Sequence, residues 1–129
     1  MTTPFFGSIR DVTRFDPDAP VVATVAVHLT TTIFVVCLDS GQELPTHAAP
    51  GALTLLVIEG HVTITIAGAE HLSHAGDVVV MSRGAPHSLS AGSGRAVVVG
   101  VLDKQPEAIH DMSPAESLAD IEVAVRPGD

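Results

Sequence analysis

The chain has 129 residues, the length of one domain; 46% are hydrophobic and 16% charged, which excludes a disordered or low-complexity chain. Six Lys and Arg stand against fifteen Asp and Glu, a net charge of −9, so the chain lacks the basic footprint of a nucleic-acid binder and disfavours anionic membrane surfaces. Trp and Tyr are absent and Phe occurs four times, so the core must be aliphatic.

Met1 to Arg10 holds one basic residue and no apolar stretch of signal-peptide length. Apolar runs such as residues 96–102 are too short to span a bilayer. The single cysteine, Cys37, can form no internal disulfide and lies in an apolar run, which fits a cytoplasmic location.

In chain order, residues 21–29 and 31–38 are rich in Val, Ile and Thr, and Asp39-Ser40-Gly41 breaks the run. Residues 52–58 and 62–66 flank the tight turn Glu59-Gly60-His61. Residues 77–81 follow the Ala75-Gly76 turn, and 87–90 and 95–102 complete the series. Short β-branched and aliphatic runs set apart by Gly, Pro, Asp and Ser predict an all-β sandwich or barrel. No long helical stretch lies between them, as a doubly wound parallel sheet would require. Val62, Ile64 and Ile66 alternate with His61, Thr63 and Thr65, predicting one core face and one polar face. Residues 77–81 are apolar after Asp77 and predict a strand buried on both faces. Ala91-Gly92-Ser93-Gly94 reads as a hairpin linker and not as a phosphate loop.

Past Leu102 the composition changes: residues 103–129 hold seven acidic and two basic side chains. Ser113-Pro114-Ala115-Glu116 is a capping box with proline at the first helical position. Leu118, Ile121 and Val125 follow at i, i+3 and i+7. They predict a short amphipathic helix over about 114–123, laid against the barrel or a partner subunit. The whole chain is read as a single domain, residues 1–129, with a barrel core over about 21–102 and an acidic helix or tail over 103–129.

Residues 41–102 resemble the cupin family, in particular its small single-domain members. The family's first motif is a Gly, five residues, His-x-His, three or four residues, Glu, six residues and Gly. Here Gly41 is followed after five residues by His47, and Gly60 closes the motif. The second motif runs from a Gly over five residues to Pro-x-Gly, then two residues to a His and on to an Asn. Here Gly76 leads to Ser82-Arg83-Gly84, and His87 stands at the His position. The resemblance implies a double-stranded β-helix, a jelly-roll barrel. The glycines also read locally as turn residues with positive φ, and Pro86 holds Ala85 extended and feeds His87 into the next strand.

In metal-binding members of the family the two motifs supply three His and one Glu to a divalent metal. Here that set is depleted: Ala49 stands at the second His position, Leu53 at the Glu position, Ser82 at the proline and Ala91 at the final Asn. His47 and His87 remain as candidate catalytic residues. They are also an incomplete candidate metal pair for Fe, Mn, Ni or Zn, with a metal-free pocket the favoured reading, because zinc and non-haem iron sites want three or more protein ligands. Glu43 is expected to point to solvent, and Cys37 is a third ligand only if it faces inward.

Phe34, Val36, Ala49, Leu53, Leu55 and His61 are the candidate pocket residues around the histidines. His71 and His74 read as surface residues that do not converge, His110 as solvated, and His28 as a core or interface histidine. A dry pocket depresses a histidine pKa, and a neutral imidazole is a usable general base. The resulting expectation is a small-molecule-binding protein, a sensor or carrier. The alternatives are a small enzyme (a metal-dependent dioxygenase or isomerase, or a metal-free isomerase or dehydratase) and a purely structural module. A homodimer through residues 21–29 is expected, because an apolar edge must be covered.

Overall fold

The computed structural model describes residues 5–105. Within them lie nine strands: β1 Val21–His28, β2 Thr31–Leu38, β3 Glu43–Ala48, β4 Ala52–Glu59, β5 His61–Ile66, β6 Ala69–His74, β7 Val78–Met81, β8 Pro86–Ala91 and β9 Ala96–Asp103. A single 3-10 turn, Ile9–Asp11, precedes them. The strands form a five-stranded sheet of order β1-β2-β9-β4-β7 and a four-stranded sheet of order β3-β8-β5-β6. Every pairing is antiparallel. This is the all-β, double-stranded β-helix architecture expected from the sequence.

Alternation builds the core. Phe34, Val36 and Leu38 of β2, Leu53, Leu55 and Val57 of β4, Val62 and Ile64 of β5, Leu89 of β8 and Val98 of β9 join one inner cluster between the sheets. Residues at the intervening positions of β2 and β9 turn outward. There Val35, Cys37 and Val97 form a second buried cluster with Val21, covered by Val12 and Phe15 of the N-terminal segment. Arg95 fixes that segment: its guanidinium lies 4.4 Å from the Phe15 ring centroid, and its Nε reaches Asp39 Oδ1 at 3.4 Å. Gln42 Nε2 donates to the Asp16 carbonyl at 2.6 Å. Gly60 shows why the first-motif glycine is needed: its φ is 78°, and a Cβ there would run into the Arg95 carbonyl. Gly41, Gly76 and Gly84 have positive φ as well.

The structure corrects several sequence expectations. Residues 77–81 are not buried on both faces. Strand β7 lies at a sheet edge, with Val78 and Val80 exposed and Val79 and Met81 turned to the core. His28 is exposed at the end of β1, which removes the core alternative and leaves the interface one. Strands β3 and β6 have no counterpart in the hydrophobic pattern. Both are edges of the four-stranded sheet and mostly exposed, so they carry polar residues and, in β3, Pro45. The helix expected over 114–123 and His110 lie outside the described residues.

The inner cluster sets the stability. Leu55→Ala should cost about 2–5 kcal/mol through lost burial and a residual cavity. Leu72→Ala, at a side chain 68% exposed, should stay within about 0.5 kcal/mol. Urea denaturation of the two variants beside the parent protein measures both.

Candidate functional site

The two sheets do not fill the space between them at one end. A cavity of about 550 Å³ opens there, walled by Val22 and Thr24 of β1, Thr32, Phe34 and Val36 of β2, Leu53 and Leu55 of β4, Leu89 of β8 and Leu102 of β9. Residues 44–50, from β3 and the loop after it, form the remaining wall, and His47 and His87 stand among the lining residues. The lining contains no Asp, Glu, Lys or Arg. Its polar groups are the two imidazoles and the hydroxyls of Thr24, Thr32 and Thr46. Phe34 lies over Gly100: a Cβ at Gly100 would collide with the tip of the Phe34 ring.

Strand pairing brings the histidines together. His47 on β3 is the direct cross-strand partner of His87 on β8, and their ring centroids lie 4.2 Å apart at a 59° tilt. Each ring is held by a carbonyl two residues before it in the chain. His47 Nδ1 meets the Pro45 carbonyl at 2.7 Å, and His87 Nδ1 meets the Ala85 carbonyl at 2.9 Å. A carbonyl only accepts, so Nδ1 carries the proton in each neutral ring and donates it. Nε2 is thereby left with a free lone pair on both. His87 is buried, 2% exposed, whereas His47 is exposed at the cavity wall. Desolvation pushes the His87 pKa below the ordinary imidazole range. The hydrogen bond to Ala85 opposes this, and the neighbouring His47 adds to it.

Of the residues selected from sequence, His47, His87, Phe34, Val36, Ala49, Leu53 and Leu55 all line this one cavity. His61 does not. It is exposed and pairs across β5 and β6 with His74, the rings edge to face at 5.2 Å. His74 in turn lies 3.2 Å from Asp77, whose carboxyl is held below its usual range chiefly by the His74 backbone N–H. His71 is exposed beside them. Sequence reading missed Val22, Thr24, Thr32 and Leu89. The signal was present for Thr32, which shares the parity of Phe34 and Val36. For Val22 and Thr24 it appears only once β1 is registered on β2, with Val22 opposite Val36 and Thr24 opposite Phe34.

The donor set does not fit a resident divalent metal. Ala49 and Leu53 put apolar groups on the cavity wall where the family's ligands would stand. Glu43 is exposed on β3, and Cys37 sits in the outer cluster on the far side of β2. Among the described residues no group of three or more His, Cys, Asp or Glu side chains is placed to hold a metal ion. Two imidazoles fall short of the three protein ligands of catalytic zinc or the two-His, one-carboxylate iron triad.

A family model described as Cupin domain matches residues 34–102. Among solved structures, a conserved protein of unknown function from Streptococcus pyogenes is 26% identical over 84% of this chain and 93% of its own, with a TM-score of 0.67. An RmlC-like cupin from Desulfovibrio desulfuricans is 25% identical over 78% of this chain and 97% of its own, at 0.68. KdgF from Halomonas sp. shares the fold at 17% identity and a TM-score of 0.70, over 82% of this chain and 97% of its own. No curated protein matches the chain.

Two outcomes test this site. The unfolded chain protonates His87 near pH 6.5, whereas the folded chain resists protonation until lower pH. The stability that comes from keeping this ring neutral is complete above about pH 6.5 and is lost as pH falls toward the lowered folded-state value. Urea midpoints should therefore drop between about pH 7 and pH 5.5, and less steeply in His87→Gln. The second outcome concerns the missing ligands. Ala49→His combined with Leu53→Glu should create near-stoichiometric metal retention after dialysis against Zn(II), measured by mass spectrometry, while the parent protein retains far less.

Proposed function

Since the chain belongs to the cupin family, we propose that it is a small-molecule-binding cupin, a sensor or carrier, whose ligand sits in the barrel cavity with a polar head on His47 and His87. The observation that carries this reading is the cavity's composition: aliphatic walls, no charged side chain, and two hydrogen-bond acceptors at one place. An apolar cavity of a few hundred cubic ångströms with a few convergent polar groups is the usual form of a small-molecule site. With Nδ1 committed to backbone carbonyls, each Nε2 accepts from a ligand O–H or N–H. The favoured ligand has an aliphatic body and a hydrogen-bond-donating head.

A second reading rests on His87. A buried imidazole kept neutral at pH 7, with Nε2 unprotonated, is a competent general base for a metal-free isomerase or dehydratase. There His87 would take a proton from the bound head group, and His47 would hold that group in place.

The free, buried Cys37 supports a reducing, cytoplasmic compartment. Among the described residues no helix is long and apolar enough to cross a membrane. Strand β1 is the edge where a second copy would pair, since it ends the five-stranded sheet and Val27 is exposed on it.

The test is a thermal-shift screen of small aliphatic alcohols, acids and amides. A ligand at about a hundred times its Kd adds roughly 2.7 kcal/mol to stability. That gain should vanish in the His47→Ala, His87→Ala double variant. Equal shifts in the double variant would refute the assignment of the head group to the imidazoles. Chemical conversion of a bound compound, lost in His87→Ala, would select the enzymatic reading.

A further inference from the structure

The outer face of the five-stranded sheet is apolar, and its two halves are treated differently. Over β1, β2 and the start of β9, Val12 and Phe15 of the N-terminal segment complete a buried cluster. On β4 and β7, Leu56, Ile58, Val78 and Val80 remain 37, 40, 58 and 39% exposed. Leu56 pairs with Val78 and Thr54 with Val80, so these side chains project from the same side of both strands. That side is opposite the one on which Leu55, Val79 and Met81 enter the core.

The chain itself leaves the barrel beside this face. Strand β9 ends at Asp103, level with Ala52 of β4, and the end of β7 at Met81 pairs with Leu53. Just beyond β7, Arg83 donates through Nη2 to the Gln105 carbonyl at 3.2 Å and reaches the Lys104 carbonyl at 3.5 Å. The guanidinium draws the departing backbone toward the β7 edge. Residues 106–129 follow, with Leu118, Ile121 and Val125 at helical spacing after the Ser113 capping box.

We propose that residues 106–129 dock on the apolar face formed by Leu56, Ile58, Val78 and Val80, through Leu118, Ile121 and Val125. The reach is ample. The stretch from Gln105 to Pro114 spans up to about 30 Å extended, and a four-residue strand such as β7 is only about 13 Å long. At 3.6 residues per turn Glu116 and Asp120 fall opposite the Leu118, Ile121 and Val125 stripe, which keeps their charge in water. A patch of four side chains also suits a single helical stripe better than a second copy, for which stable interfaces use roughly 20–30 residues a side.

The full-length protein with p-benzoylphenylalanine in place of Val80 tests this. After irradiation, the crosslinked species should migrate as a single chain, and mass spectrometry after proteolysis should place the crosslink in the peptide carrying Leu118 to Val125. The yield should fall by about tenfold when Leu118→Asp and Ile121→Asp are introduced, as two aliphatic anchors leave an apolar contact. Circular dichroism of that variant should retain the strand signal. Crosslinks between two chains would replace this proposal with a dimer interface. Absence of crosslinks to the segment, or crosslinks indifferent to the two Asp substitutions, would overturn it.

Discussion

The antiparallel pairing of β3 with β8 is the constraint on which the cavity's chemistry depends. It places His47 opposite His87, so two imidazoles meet without any long-range loop having to be held. Strand β3 is an edge strand whose register on β8 shifts between Leu44 and His47. Pro45, in that irregular stretch, has no N–H to give, yet its carbonyl receives the His47 ring. Just before β8 the Ala85 carbonyl does the same for His87. Each ring is thus oriented by the backbone two residues before it. The local conformation that sets the strand also sets the tautomer.

The rest of the barrel determines what those imidazoles experience. The inner cluster is aliphatic, and the cavity wall contains no Asp, Glu, Lys or Arg; the one other titratable group there, His47, only opposes a charge on His87. Apart from the Ala85 carbonyl, a charge on His87 would depend on water, and the ring is almost wholly removed from it. Burial therefore dominates over the stabilising carbonyl, and the ring favours its neutral form. In the family pattern the positions of Ala49 and Leu53 would carry charge and coordination. Here they complete a dry wall. The same barrel geometry that could gather metal ligands gathers two hydrogen-bond acceptors instead.

Most of the barrel was legible in the sequence because strands with one face in the core advertise themselves by alternation. The β5 pattern is the clearest case: Val62, Ile64 and Ile66 join the core and His61 does not. The spacings from Gly41 to His47 and from Gly76 to His87 located both cavity histidines. Three things were hidden. Edge strands β3 and β6 bury too little to need an apolar face. Strand β7 is apolar on both faces yet buried on only one, and composition does not distinguish burial by the core from exposure at an edge. His61 lies on the outward face of β5 and at the end away from His87, which is opposite Ile66; the alternation carried the first point and only the register reveals the second.

Gly100 gives the barrel a separable control over the shape of its cavity. The absence of a side chain at Gly100 on β9 is what leaves room for the tip of the Phe34 ring. Residue identity there governs the bore of the barrel, while His47 and His87, on the other sheet, govern its polarity. Two independent genetic dials follow from this arrangement. Any side chain added at Gly100 displaces the Phe34 ring and reshapes the cavity from the five-stranded sheet, while the two imidazoles keep their places on the four-stranded one.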